Sequence, residues 1–185
     1  MHLKIGLCGS HRTGKTTLAK EISLKAGIPF VKTSTSEVFE QSGLHPADPM
    51  DFKTRIWIQH RVTDAAEKVW QAEQGSFVTD RTPVDMIAYT LGDIRGTTEA
   101  DFNELKNYMD HCFEVTNKYF TKLAVIQPGI PLVYEKGKAK LNRAYIEHLN
   151  TVIMGLCSDE RLATPSIIIK RSITAIEDRI RECLK

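Results

Sequence analysis

Short apolar runs alternate with longer amphipathic stretches along most of the chain. Leu3 to Cys8 is apolar and brief, and it stops at Gly9. That length, bounded by glycine, predicts a buried parallel strand. From Lys15 to Ala26 the apolar positions Leu18, Ile22 and Ala26 recur at helical spacing, and Gly27 and Pro29 close the segment. Pro29 to Lys32 reads as a second strand. Ser34-Thr35-Ser36-Glu37 has the spacing of a capping box before a short helix containing Val38 and Phe39. Asp48-Pro49-Met50-Asp51 reads as a helix start with Asp48 as the cap and Pro49 in the first turn. Phe52, Ile56, Val62, Ala66 and Val69 give that helix an apolar stripe, and it extends toward Gln74.

The second half repeats the alternation. Phe77 to Asp80 predicts a third strand, and Thr82-Pro83-Val84-Asp85 starts a helix that ends near Gly92. A further helix is expected between Thr98 and about Thr121, then a fourth strand from Leu123 to Ile126. Gln127-Pro128-Gly129-Ile130-Pro131 cannot continue a central strand. A basic stretch, Tyr134 to Lys140, leads into a helix carrying Leu141, Tyr145, Leu149, Val152 and Leu156. Ser166 to Ile169 predicts a fifth strand, and a capping box at Thr174 and Glu177 opens a last helix to Leu184. Strands alternating with helices imply an α/β fold, with a five-stranded parallel sheet between two helical layers. We expect one domain over residues 1–185, with a lid-like segment at about 127–143.

Gly9-Ser10-His11-Arg12-Thr13-Gly14-Lys15-Thr16 fits G-x-x-x-x-G-K-[ST] at every fixed position, between a strand and a helix. Glycines let the backbone close around phosphate oxygens, and successive N–H groups point inward. The helix N-terminus adds positive partial charge. The spacing therefore assigns Gly9 to Thr17 to nucleotide binding, with Lys15 on the β- and γ-phosphates and Thr16 on Mg2+. ATP and Mg2+ are the expected donor and metal.

Composition narrows the class without naming an acceptor. Of 185 residues, 42% are hydrophobic and 26% charged, as in water-soluble domains. No apolar run approaches the roughly 20 residues of a membrane span, and the first eight residues are too short for a signal peptide. The expected location is the cytoplasm, with no membrane partner. The net charge of +2 is below that of most dedicated DNA-binding domains. Cys8, Cys112, Cys157 and Cys183 form no C-x-x-C pair, so they read as reduced packing residues. The six histidines show no ligand spacing.

Asp80-Arg81 is the second signal, because ligands of open α/β sheets bind beyond the carboxyl ends of the strands. Asp80 at a strand end suits a Mg2+ partner or a proton acceptor. Arg81 suits bidentate phosphate recognition; a structural ion pair is the alternative. Glu37 is a second candidate base, although the capping box explains it without chemistry. Asp85 reads as a capping acid. Lys136, Lys138, Lys140 and Arg143 place cations after the fourth strand, where they would stabilise a transferring phosphoryl group. Arg143 is the preferred one, and pairing with Glu147 is its alternative. Arg55 and Arg61 on the long helix are candidates for facing the acceptor pocket, with a solvated helix face the commoner explanation, and Trp57 and Trp70 read as packing.

Gly9 to Thr16, Asp80-Arg81 and the basic stretch before Leu141 together resemble the P-loop nucleoside and nucleotide kinases, including thymidylate-kinase-like proteins. That resemblance implies phosphoryl transfer to a nucleoside- or nucleotide-type acceptor. Lys15, Asp80, Arg81 and Arg143 would be the catalytic residues, and Thr16 and Asp80 would hold the metal. The run Gly-Ser-His-Arg-Thr-Gly-Lys-Thr-Thr-Leu-Ala also looks like small bacteriophage kinases, some of which phosphorylate 5-hydroxymethyluracil in DNA. Thr82-Pro83 after Asp80-Arg81 departs from thymidylate kinases. A GTPase would need Asn-Lys-x-Asp, but Asn117-Lys118-Tyr119-Phe120 lacks the acid. An ATPase would usually place a second acid where Arg81 stands.

Overall fold

The computed structural model describes residues 2–46, 48–133 and 141–185. Its sheet is built from β1 (Lys4–Cys8), β2 (Phe77–Thr79), β3 (Lys122–Ile126) and β4 (Ser166–Ile169). The strands are all parallel, in the order β2-β1-β3-β4. Gly6 stands opposite Thr79 on one side and Leu123 on the other. The order reverses between β1 and β3, which opens a crevice at their carboxyl ends.

The expected second strand, Pro29 to Lys32, is reduced to one parallel bridge between Phe30 and Val78, which leaves four strands of the expected five. Val31 N–H donates to Val78 O (2.8 Å), and Val78 N–H donates to Pro29 O (3.0 Å). A ladder is no longer than its neighbour, and β2 has only three residues. Pro29 also brings no N–H of its own.

Seven helices lie among the described residues: α1 (Lys15–Ala26), α2 (Thr35–Gln41), α3 (Phe52–Ala72), α4 (Pro83–Gly92), α5 (Phe102–Tyr119), α6 (Arg143–Leu156) and α7 (Ile176–Leu184). Alternation along the strands divides the core in two. Ile5, Leu7, Ala124 and Ile126 face Leu18, Ala19 and Ile22 of α1 and Ile180 and Cys183 of α7. Cys8, Phe77, Leu123 and Val125 face the residues of α3, α4, α5 and α6. This is the three-layer α/β/α arrangement that the alternation implies. Trp70 is fully buried and meets Phe120 edge-on at 5.1 Å. Trp57, by contrast, is 47% exposed beneath the Arg61 guanidinium, so it is a surface residue.

Several helix starts differ from those the sequence predicts. Asp51, not Asp48, caps α3, and its carboxylate accepts from Thr54 N–H at 2.7 Å. Ser34 precedes α2 without a side-chain cap bond. Ala175 stands at the cap of α7, so the Thr174 box does not form. The Thr82–Asp85 box does form at α4. The buried stripe of α6 is Ile146, Leu149, Asn150, Ile153 and Leu156, while Leu141 lies outside the helix. Of the lid-like segment, residues 134–140 fall outside the described part, including Lys136, Lys138 and Lys140.

Candidate functional site: a phosphate loop and a strand-end acid

β1 delivers Gly9 to the crevice. Its backbone has φ +152°, and a Cβ there would sit 2.5 Å from Ile126 O, so the loop leaves the sheet at a point only glycine fits. The chain then turns through Arg12 at φ 65° and Gly14 at φ 83° before α1 begins. Thr13 Oγ1 donates to Ser10 O at 3.0 Å and braces the loop internally. Lys15 Nζ reaches back across it, donating to Gly9 O (2.5 Å) and Ser10 O (2.9 Å). Thr17 is exposed as the third residue of α1.

β2 delivers Asp80. Thr16 Oγ1 donates to Asp80 Oδ2 at 2.5 Å, across 64 residues of sequence. A hydroxyl at the start of a helix and a carboxylate at a strand end are hard oxygen donors of the kind Mg2+ takes alongside water and phosphate oxygens. The residues thus fit the metal the loop implies. Arg81 is exposed and close enough to oppose the protonation of Lys15.

Asp85 links the two ends of the site. Its Oδ2 accepts from Thr82 N–H (2.9 Å) and Thr82 Oγ1 (3.0 Å), completing the cap of α4. Its Oδ1 accepts from Gly9 N–H at 2.8 Å. The sequence identifies the cap; the bond to the loop was invisible to it. Burial pushes the Asp85 carboxyl above its usual range, against the pull of Lys15. Burial likewise lowers the Lys15 ammonium, and Asp85 is the strongest influence keeping it charged.

His11 leans toward α4 and α6. Its Nδ1 lies 3.3 Å from Tyr89 Oη, and its ring is 5.9 Å from that of Tyr145. Burial raises the Tyr89 hydroxyl far above the usual phenol range. Arg12 Nη1 donates to Val133 O at 3.4 Å. Arg55 is not a solvated surface cation: it packs against α4 with Nε 3.0 Å from Asp93 Oδ2. Glu37 is exposed on α2, beside a cavity of about 170 Å³ between α2 and α3. Among the described residues, no hydrogen bond or ion pair joins it to the loop.

Arg143 opens α6 with an exposed side chain. Glu147 does not pair with it. That carboxylate instead takes both Arg171 Nη atoms at 2.6 Å. Arg179 of α7, 166 residues away in sequence, donates Nη1 to Thr13 O at 2.9 Å. No local spacing announces such a contact.

Solved structures share this fold across nearly the full chain. Deoxyadenosine kinase from M. mycoides with bound dATP matches with a TM-score of 0.64 at 21% identity, covering 97% of this chain and 96% of that one. Thymidylate kinase from Candida albicans matches with a TM-score of 0.66 at 13% identity, covering 99% and 90%. NadR in complex with NR matches with a TM-score of 0.67 at 18% identity; it covers this whole chain but 52% of its own. Comparison with curated proteins returns no match. The architecture is thus the three-layer fold of P-loop kinases, with four strands in the sheet. An AAA domain family model matches residues 4–121, which contain the phosphate loop, Asp80 and the α4 cap, and the chain belongs to that AAA domain family.

Proposed function

We propose that this protein transfers the γ-phosphoryl group of ATP to a hydroxyl of a nucleoside- or nucleotide-type acceptor. The observation that carries the reading is the junction of loop and strand end. Thr16 is bonded to Asp80, and the next residue is a cation beside Lys15 rather than a second acid. A water-activating ATPase would usually carry an acid at that position. The neighbours in fold include kinases whose names specify deoxyadenosine and thymidylate, which supports the same acceptor class.

In this reading the loop N–H groups beyond Gly9, through Thr17, orient the polyphosphate, and Lys15 and Arg81 offset charge as it develops. Thr16 and Asp80 would hold Mg2+, which when bound neutralises phosphate oxygens. The acceptor oxygen forms a bond to the γ-phosphorus while the bond to the β,γ-bridging oxygen breaks, and the acceptor proton passes to a carboxylate. Asp80, held at the loop, is the better placed candidate; Glu37 has no bond to it. The basic segment from 127 to 143, with Arg143 at its end, supplies further cations.

The test is transfer from γ-labelled ATP to a panel of free nucleosides, nucleoside monophosphates, and duplex DNA with and without 5-hydroxymethyluracil. Label on a nucleoside or monophosphate is expected. Label confined to modified DNA would move the acceptor to the hydroxymethyl group of a base. Release of inorganic phosphate alone would overturn the kinase reading.

A further inference from the structure

Arg179 is a buried cation with no counter-ion among the described residues. It is 2% exposed, on the inner face of α7. Nε donates to Ile173 O at 2.9 Å, Nη1 donates to Thr13 O at 2.9 Å, and the buried Nη2 has no hydrogen-bond partner among the described residues. No described carboxylate pairs with it. Burial accordingly lowers its pKa. A Cβ added at Gly14 would lie 3.4 Å from Nη1, so the guanidinium rests against the loop where α1 begins. That is the positive end of a helix macrodipole, an unfavourable place for a lone cation.

We infer that Arg179 is a positioning residue for the polyphosphate, gripping the Thr13–Gly14 peptide from behind so that its N–H faces the bound anion. The inference rests on the kinase reading and deepens it. A trans peptide is planar, and its C=O and N–H point in opposite directions. Holding Thr13 O from the α7 side therefore fixes the direction of Gly14 N–H. A charged donor on the carbonyl also polarises that peptide and strengthens its N–H as a donor. The charge contributes as well: an anion in the loop supplies the negative partner that the described residues do not give Arg179. Asp85 holds the opposite shoulder of the loop at Gly9 N–H. The loop is thus fixed at both ends by buried groups of opposite charge, drawn from the two helical layers.

The experiment compares wild type, Arg179→Met and Arg179→Lys by calorimetric titration with inorganic tripolyphosphate and with ATP at fixed Mg2+. Urea unfolding of each protein alone accompanies it. Arg179→Met is expected to lose tenfold or more in tripolyphosphate affinity. Arg179→Lys, which retains the charge and one donor direction, is expected to recover at least half of that loss on a logarithmic scale. A purely structural role predicts lower unfolding midpoints with affinity unchanged, or equal losses in both variants, and either result overturns the inference. Wild type that binds tripolyphosphate and phosphorylates an acceptor, with variants binding within twofold of it, overturns this inference alone. Wild type that fails to bind tripolyphosphate overturns it together with the kinase reading.

Discussion

Replacing Asp85 with alanine tests how the phosphate loop is anchored. The carboxylate accepts from Gly9 N–H, Thr82 N–H and Thr82 Oγ1, and it is 2% exposed. Alanine strands two buried backbone donors, at a cost of about 1–3 kcal/mol each, and removes the α4 capping box, worth about 1 kcal/mol. Relief of the buried charge offsets part of this. The net loss should be about 3 kcal/mol, a large share of the roughly 5–15 kcal/mol that holds a domain folded. Thr82→Ala breaks the cap but leaves the bond from Gly9, and should cost about 1 kcal/mol. Urea unfolding at pH 7 measures both. The excess of Asp85→Ala over Thr82→Ala is the joint worth of the two backbone bonds, from Gly9 N–H and Thr82 N–H, that Thr82→Ala leaves in place. If Asp85→Ala costs no more than Thr82→Ala, the Gly9 bond contributes nothing and the reasoning fails.

Other outcomes follow from the same geometry. Lys15→Met should reduce phosphoryl transfer by about 10²–10³-fold without lowering the urea midpoint, and retention of wild-type kcat would remove Lys15 from the site. Thr16→Val deletes the hydroxyl bonded to Asp80 and should raise the Mg2+ needed for half-maximal activity by about tenfold; an unchanged Mg2+ titration would place the metal elsewhere. Gly9→Ala would drive a Cβ to within 2.5 Å of Ile126 O, so the loop must shift and ATP binding should fall below detection by calorimetry. Arg161 holds the Asp159 carboxyl at about 2, and Lys106 together with Arg161 lowers Asp110. Between that value and the ordinary carboxylate range near pH 4, the unfolded chain binds more protons than the folded one. The ion pair therefore stabilises above that range and fades as pH falls toward 2. Arg161→Ala should cost about 1 kcal/mol at pH 7, since the side chain is a third exposed and screened. The gap should narrow by pH 2.5; an equal gap at both pH values would assign the effect to packing on Phe113 instead.

Much of this molecule is legible from local pattern, because local pattern is what short-range physics sets. Short apolar runs mark β1 and β3, helical spacing marks α1 and α3, and Thr82 and Asp85 cap α4 as their spacing demands. The phosphate loop is legible because its glycines and Lys15 act within eight residues. The start of α3 departs from the local pattern: the sequence points to Asp48 as the cap, but Asp51 caps the helix in a frame that buries Phe52 and Ile56. The second strand faded to a bridge because its length depends on β2, 47 residues further on. What only the tertiary structure decided is which distant groups meet: Thr16 with Asp80, Gly9 with Asp85, Arg55 with Asp93, Glu147 with Arg171, and Thr13 with Arg179. Sheet order and helix packing create those pairs, and a side chain carries no trace of its partner in the residues beside it.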